Sequence, residues 1–414
     1  MTISKSKLID ALQWSLTVFL LASYTIFSTS AWGRYIILLT SAMVLLTSVI
    51  KNRGWLRIRI EEFLLFFAAF TVYTALSSVW ALSATDSLNT AGTLLRMLVC
   101  FAMVYWSYMD ETDPYRLISA MVAASYVVAV YTVIAYGFSN IMNATDSILT
   151  TIKFANLNSI ALFLALGIVC DLYLFLNRGA RIYSLLSFLS IIIVAFTRSR
   201  KAIVFLVLGA LLVLMFRYVA STSIVNRIIK IFLIVLFASL TVFFLAKLPI
   251  FSGVNARLEQ MLNMLRGSGK IDTSTLMRSN LIQVGWKSFL ERPLFGVGIG
   301  CTHIVAADYL NFDSYLHNNY IELLAGGGAA ALLLYYGMYA YLLVNYFKLR
   351  KTDYQWYAFG LTVLLLTLIT DYGRVSYYSD TVLFEVMVLF LICKIVSRNR
   401  KEISDSDETD QVSE

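Results

Sequence analysis

The two histidines of this chain, His303 and His317, fall in a single stretch, Leu294–Ala331, of a sequence otherwise made largely of apolar runs. A histidine exchanges a proton near neutral pH without help from a metal, so His317 is a candidate general base. Asn318 adjoins it, Tyr320 and Glu322 follow, and Gly326-Gly327-Gly328 come two to three helical turns later. On a helix, His317 would share a face with Tyr320, Ile321 and Leu324. The glycines would let a second helix or a ligand approach the backbone closely. The plainer alternative for His317 is a buried, hydrogen-bonded histidine that ties the segment down. His303 has no motif around it and is read as incidental.

Cations form the second group. Thr197-Arg198-Ser199-Arg200-Lys201 sets three of them at a membrane boundary. An arginine fork matches phosphate oxygens, which makes the run a candidate anion site; interfacial snorkelling is the alternative. Between Thr275 and Leu290, Met277, Leu281 and Val284 fall on one helical face, flanked by Arg278 and Lys287. That pattern predicts an amphipathic helix on or near the membrane surface, capped by Thr275 and ended at Glu291-Arg292-Pro293. Gly296, Gly298 and Gly300 then make a close-approach turn. Asn156 and Asn158 read equally as helix caps or as cavity-facing groups, and Arg96, Asp371 and Arg374 add polar groups at the ends of spans.

These residues need a scaffold, and composition indicates its kind. Of 414 residues, 59% are hydrophobic and 14% charged, against about 25% charged in an ordinary soluble domain. The apolar runs have the length of bilayer-crossing helices and lack the alternation of barrel strands. The expected fold is an all-α integral membrane protein of about 12 transmembrane helices, at 11–29, 34–50, 62–80, 92–108, 117–138, 157–176, 182–197, 202–217, 230–247, 327–346, 354–371 and 379–397. A large, partly helical extracytoplasmic loop separates the ninth helix from the tenth. The expected parts are a membrane domain at 1–248, the loop at 249–326, a second membrane portion at 327–397 and a disordered tail at 398–414.

Basic clusters at Lys51–Arg59, Arg178–Arg181, Arg217–Lys230, Lys348–Lys351 and Lys394–Lys401 all fall on one side of such a layout. The positive-inside rule makes that side, with both termini, cytoplasmic. The net charge of +8 therefore speaks of orientation and not of nucleic-acid binding. Lys5 and Lys7 precede a first span with no convincing cleavage site. Cys100, Cys170 and Cys393 lie in apolar runs and Cys301 is alone in the loop, so neither a disulfide framework nor a metal-ligand cluster is indicated. Asp405-x-Asp407 superficially resembles a metal-binding pair but sits in an acidic, solvated run.

His317-Asn318, nine residues and then Gly328 resemble the signature of the O-antigen ligase and polymerase superfamily. In its ligases, His and Asn, Ser or Gln are followed after nine residues by Gly-x-x-Gly; Ala331 stands in the place of the last glycine. Arg292-Pro293-Leu294-Phe295-Gly296-Val297-Gly298, Ser199-Arg200 and Arg278 resemble further elements of the same family. The resemblance implies a membrane glycosyltransferase working at the periplasmic or outer face. Its donor would be an undecaprenyl-diphosphate-linked glycan and its acceptor a glycan or glycolipid. It would use no nucleotide sugar, no metal and no other cofactor, with membrane lipids as surroundings and no nucleic-acid partner. His317 would deprotonate the acceptor hydroxyl. Arg200 and Arg278 would hold the donor diphosphate, supported by Arg198, Arg292 and Asn318. Polymerase is favoured slightly over ligase, because of Ala331. A transporter of lipid-linked oligosaccharide is the competing class, although the chain lacks paired halves with broken helices. A purely structural membrane protein would leave His317 and the outer arginines unexplained.

Overall fold

The computed structural model describes residues 5–28, 30–137, 156–179, 181–197, 199–219, 226 and 273–412. These residues form thirteen α-helices and no strand. The helices are α1 (Lys5–Ile26), α2 (Ala31–Lys51), α3 (Glu62–Ser77), α4 (Ala84–Tyr108), α5 (Tyr115–Tyr136), α6 (Leu157–Arg178), α7 (Arg181–Phe196) and α8 (Arg200–Val219). After the loop come α9 (Thr273–Glu291), α10 (Thr302–Leu310), α11 (Asn319–Thr352), α12 (Tyr354–Asp371) and α13 (Asp380–Val412). The expected ninth span at 230–247, Arg198 and the loop as far as residue 272 lie outside the described residues.

The chain is an all-α, multi-pass membrane protein. Seven of the described helices are long and apolar enough to cross a bilayer, and Glu62–Ser77 and Ser187–Phe196 are shorter apolar helices. A helix suits this setting because it satisfies every backbone group from within. Hydroxyls inside the spans follow the same logic: Thr17 donates to Gln13 O and Thr74 to Phe70 O, each at 2.9 Å. The core is largely aromatic. Tyr24, Phe63, Phe67, Phe101 and Phe384 pack with ring centroids 5.6–6.2 Å apart.

Most ion pairs among the described residues lie at one end of the bundle. Lys51 reaches Asp10 at 2.8 Å, Arg116 reaches Glu111 at 2.8 Å, Arg178 reaches Asp113 at 3.0 Å and Arg400 reaches Asp353 at 3.1 Å. The first residues of α4, α8 and α11 lie at the other end, beside the site described below.

Several elements differ from their sequence-based outlines. Helix α11 starts at Asn319, eight residues before the expected span, because Asn318 caps it by accepting from Ile321 N at 3.1 Å. Helix α13 continues past Arg398 to Val412, through residues whose composition reads as an unstructured tail. Extending an existing helix needs no new nucleus. The amphipathic stripe of α9 does not face a membrane surface. Leu281 is fully buried against Ala306, Leu316 and Ala325, with Met277 beside it, and Val284 packs with Val297 and Val305. The apolar residues that α9 exposes are others: Leu276, Trp286 and Leu290.

Candidate active site

Two motifs noticed separately in the sequence form one structure. Helix α11 is interrupted at Gly328, whose φ of 66° and ψ of −166° lie outside the helical region. The interruption frees backbone groups on both sides, and residues 293–298 take them up. Val297 N donates to Ala325 O at 3.0 Å and Gly298 N to Gly326 O at 2.7 Å. Ala329 N donates to Pro293 O at 2.9 Å and Ala330 N to Leu294 O at 3.3 Å. Backbone meets backbone so closely that a Cβ on Gly328 would lie 2.3 Å from Leu294 O, and one on Gly296 2.5 Å from Ala325 O. The partner that the glycine cluster admits is thus the Arg292–Gly298 stretch. This splice is fastened to α3 and to the connector between α3 and α4 by Tyr73 OH to Gly327 O at 2.6 Å, Trp80 Nε1 to Phe295 O at 3.0 Å and Leu82 N to Val297 O at 2.9 Å.

The splice positions the turn that carries His317. His317 lies before α11 and not on it, with a left-handed φ of 57°. The face shared with Tyr320, Ile321 and Leu324 therefore does not form. A ring-bearing residue adopts that backbone only where its surroundings hold it. The hold comes from both sides: Glu322 Oε2 accepts from Leu316 N at 2.7 Å, and Asn318 is committed to the helix cap. Glu322 is buried and its other oxygen accepts from Thr302 Oγ1 of α10. The Tyr315 ring packs on the imidazole, centroid to centroid, at 4.1 Å.

Positive charge converges on this turn. Burial lowers the pKa of His317 to about 4, and the charges of Arg278 and Lys201 act in the same direction. Lys201 in the first turn of α8 donates to Gly373 O in the connector between α12 and α13, and the charges of Arg278 and Arg374 both bear on it. That connector is held against α11 by Asn319 Oδ1, which accepts from Ser376 N at 2.8 Å and Tyr377 N at 3.1 Å. Arg374 Nε lies 3.5 Å from Asp371 Oδ1, and its buried Nη2 has no hydrogen-bond partner among the described residues. A lysine in the first turn of a helix opposes the helix dipole, an arrangement that an anion would offset.

Of the residues singled out from sequence, His317 and Arg278 come together. Arg200 begins α8, next to Lys201; its side chain, like Arg198, is outside the described part. Arg292 is exposed at the end of α9, where its carbonyl accepts from Gly296 N at 3.0 Å. Asn318 acts as the helix cap. Asn156 also caps, accepting from Asn158 N at 2.9 Å. Arg96 pairs with Asp380 at 3.8 Å. Sequence reasoning did not single Lys201 out of its run of three cations, and it passed over Tyr315 and the anchoring part played by Glu322. Lys201 was visible as the third cation of its run. His303 is not idle: Nδ1 lies 3.1 Å from Asp313 Oδ1 and Nε2 3.4 Å from Asp86 Oδ2.

Residues 185–336 match the family model described as O-antigen ligase. The match takes in Lys201, Arg278, the splice and His317. No curated protein matches the sequence.

Proposed function

Because the chain carries an O-antigen ligase domain, and with it belongs to the O-antigen ligase/polymerase superfamily, we propose that it transfers a glycan from an undecaprenyl-diphosphate-linked donor to a saccharide hydroxyl. The reaction takes place at the outer face of the bacterial cytoplasmic membrane, with the ion-paired end of the bundle and both termini in the cytoplasm. One observation carries the reading. His317, set on a left-handed turn against the Tyr315 ring, lies within electrostatic reach of Arg278 and Lys201, which is the pairing of base and cations that such a transfer requires.

His317 takes the proton from the acceptor hydroxyl. The hydroxyl oxygen forms the new bond to the anomeric carbon of the donor. The bond from that carbon to the diphosphate oxygen breaks, and the electron pair leaves with the lipid diphosphate. Arg278 and Lys201 offset the charge that builds there, with Arg374 next to them and Arg200 one residue before Lys201. Fixed cations supply this stabilisation, so transfer should survive a chelator. Glu322 and Asn318 position the base. Polymerase remains favoured over attachment of finished glycan to lipid A-core, because Ala331 replaces the last glycine of the ligase pattern.

Purified protein in liposomes, given donor, acceptor and chelator, tests this. Wild type should form new glycosidic bonds, and His317→Ala should lower the rate by roughly 10²–10⁴-fold, the usual contribution of a general base. A His317→Ala variant as fast as wild type would remove the base assignment. Movement of the carrier across the bilayer without new bonds would replace the transferase by a transporter.

A further inference from the structure

His303 bridges parts of the chain that are far apart in sequence. It lies on α10, Asp313 in the connector leading to His317, and Asp86 in the first turn of α4, and the ion-pair distances of 3.1 and 3.4 Å join all three. The bridge borders a cavity of about 480 Å³ that neither sequence nor family match pointed to. That volume falls within the roughly 300–1,000 Å³ of small-molecule sites. Tyr315 is the shared wall: it lines the cavity, and its ring packs on His317 at 4.1 Å.

The lining has a distinct chemistry. Tyr315, Tyr377 and Tyr378 offer aromatic surface, and Asn89 and Thr93 offer an amide and a hydroxyl. Flat rings next to short hydrogen-bonding groups suit a pyranose, which has apolar C–H faces and a rim of hydroxyls. Charge narrows the class. Asp313 and Glu322 line the cavity, and no lysine or arginine does. Lys201, Arg278 and Arg374 all lie outside that lining, and its histidine, His303, is already engaged by Asp313 and Asp86, so an anionic sugar would meet the exposed Asp313 with no free cation to offset it.

We propose that this cavity is the acceptor subsite and that it takes a non-anionic pyranose, presenting its hydroxyl past Tyr315 to His317. The inference rests on the glycosyl-transfer reading above. It divides the site by charge: the lipid diphosphate among the cations, the acceptor sugar among carboxylates and phenols.

The test uses the full chain in lipid nanodiscs, without donor, titrated calorimetrically with maltotriose and with trigalacturonic acid. Maltotriose should bind wild type and trigalacturonic acid should bind at least tenfold more weakly. Asn89→Trp, at an exposed position, should weaken maltotriose at least tenfold by filling the cavity. Asp313→Lys should shift the preference towards trigalacturonic acid by tenfold or more. Both variants should keep the wild-type affinity for undecaprenyl diphosphate, which also shows that they are folded. Failure of maltotriose to bind, a wild-type preference for trigalacturonic acid, or indifference to Asn89→Trp would overturn the assignment. Saccharide binding with these properties in a protein that forms no glycosidic bond would overturn the transferase reading and leave the cavity assignment standing. An acceptor KM unchanged by Asn89→Trp in an active enzyme would do the reverse.

Discussion

At His317, burial and two neighbouring cations all disfavour the imidazolium and lower its pKa to about 4. The sign of a perturbation follows. Removing Arg278 removes a positive neighbour, so the charged ring becomes less costly and its pKa rises. In Arg278→Ala the acid limb of the kcat/KM profile should move upward from about 4, while kcat falls by roughly 10²–10³-fold, as when one charge-stabilising donor is lost. A bound diphosphate brings negative charge to the same place, so in wild type the acid limb of kcat should lie above that of kcat/KM. Steady-state rates from pH 3.5 upward, with each substrate in turn held saturating, would check both shifts. His317 stands out in the sequence because the chain has two histidines, whereas Arg278 is one of several cations of its loop and is distinguished by the family resemblance alone. Lys201 was overshadowed by its neighbour Arg200. Glu322 was seen only as a nearby acid, since its task depends on where Leu316 N points, and one residue in a left-handed turn decides that.

Among the elements, the splice between residues 293–298 and the broken part of α11 is the most exacting. The φ and ψ of Gly328 fall in a region that costs other residues about 1–3 kcal/mol, and a Cβ would press on Leu294 O besides. Gly328→Ala should therefore lower stability by at least about 2 kcal/mol and abolish transfer, as read by thermal unfolding in detergent and by the liposome assay. Glu322→Ala leaves the buried Leu316 N–H and Thr302 O–H without their acceptor, a loss of about 1–3 kcal/mol for each such group. Its kcat should drop while the donor KM stays, and Glu322→Gln, which keeps an acceptor oxygen, should restore part of the rate. Helical periodicity located α9 to within a few residues but not what it packs on. A short apolar stripe reads the same whether lipid or protein covers it, and only Leu316, Ala306 and Ala325, distant or on other elements, settle the matter. The glycines and the Arg292–Gly298 stretch were both conspicuous, yet their pairing is a backbone contact that leaves no mark in side-chain pattern.

For the molecule as a whole, the apolar helices were the most legible feature, because hydrocarbon thickness acts on long windows of sequence; their sidedness is what the basic clusters predict. The four cysteines are all buried, so an introduced thiol can report sidedness without interference. In intact cells, Asp308→Cys on α10 should react with a membrane-impermeant maleimide, and Lys401→Cys should react only after permeabilisation. Labelling in the opposite order would invert the topology and put His317 in the cytoplasm. The cations around the site have one more consequence, which concerns turnover. A carrier diphosphate freed of its glycan bears more negative charge than one still esterified to it. The proposed cradle of Lys201, Arg278 and Arg374 should therefore hold the spent carrier more tightly than the fresh donor. The enzyme should be inhibited by its own leaving group, competitively with donor. Sustained synthesis would then depend on a phosphatase that trims the released diphosphate and keeps the cradle clear.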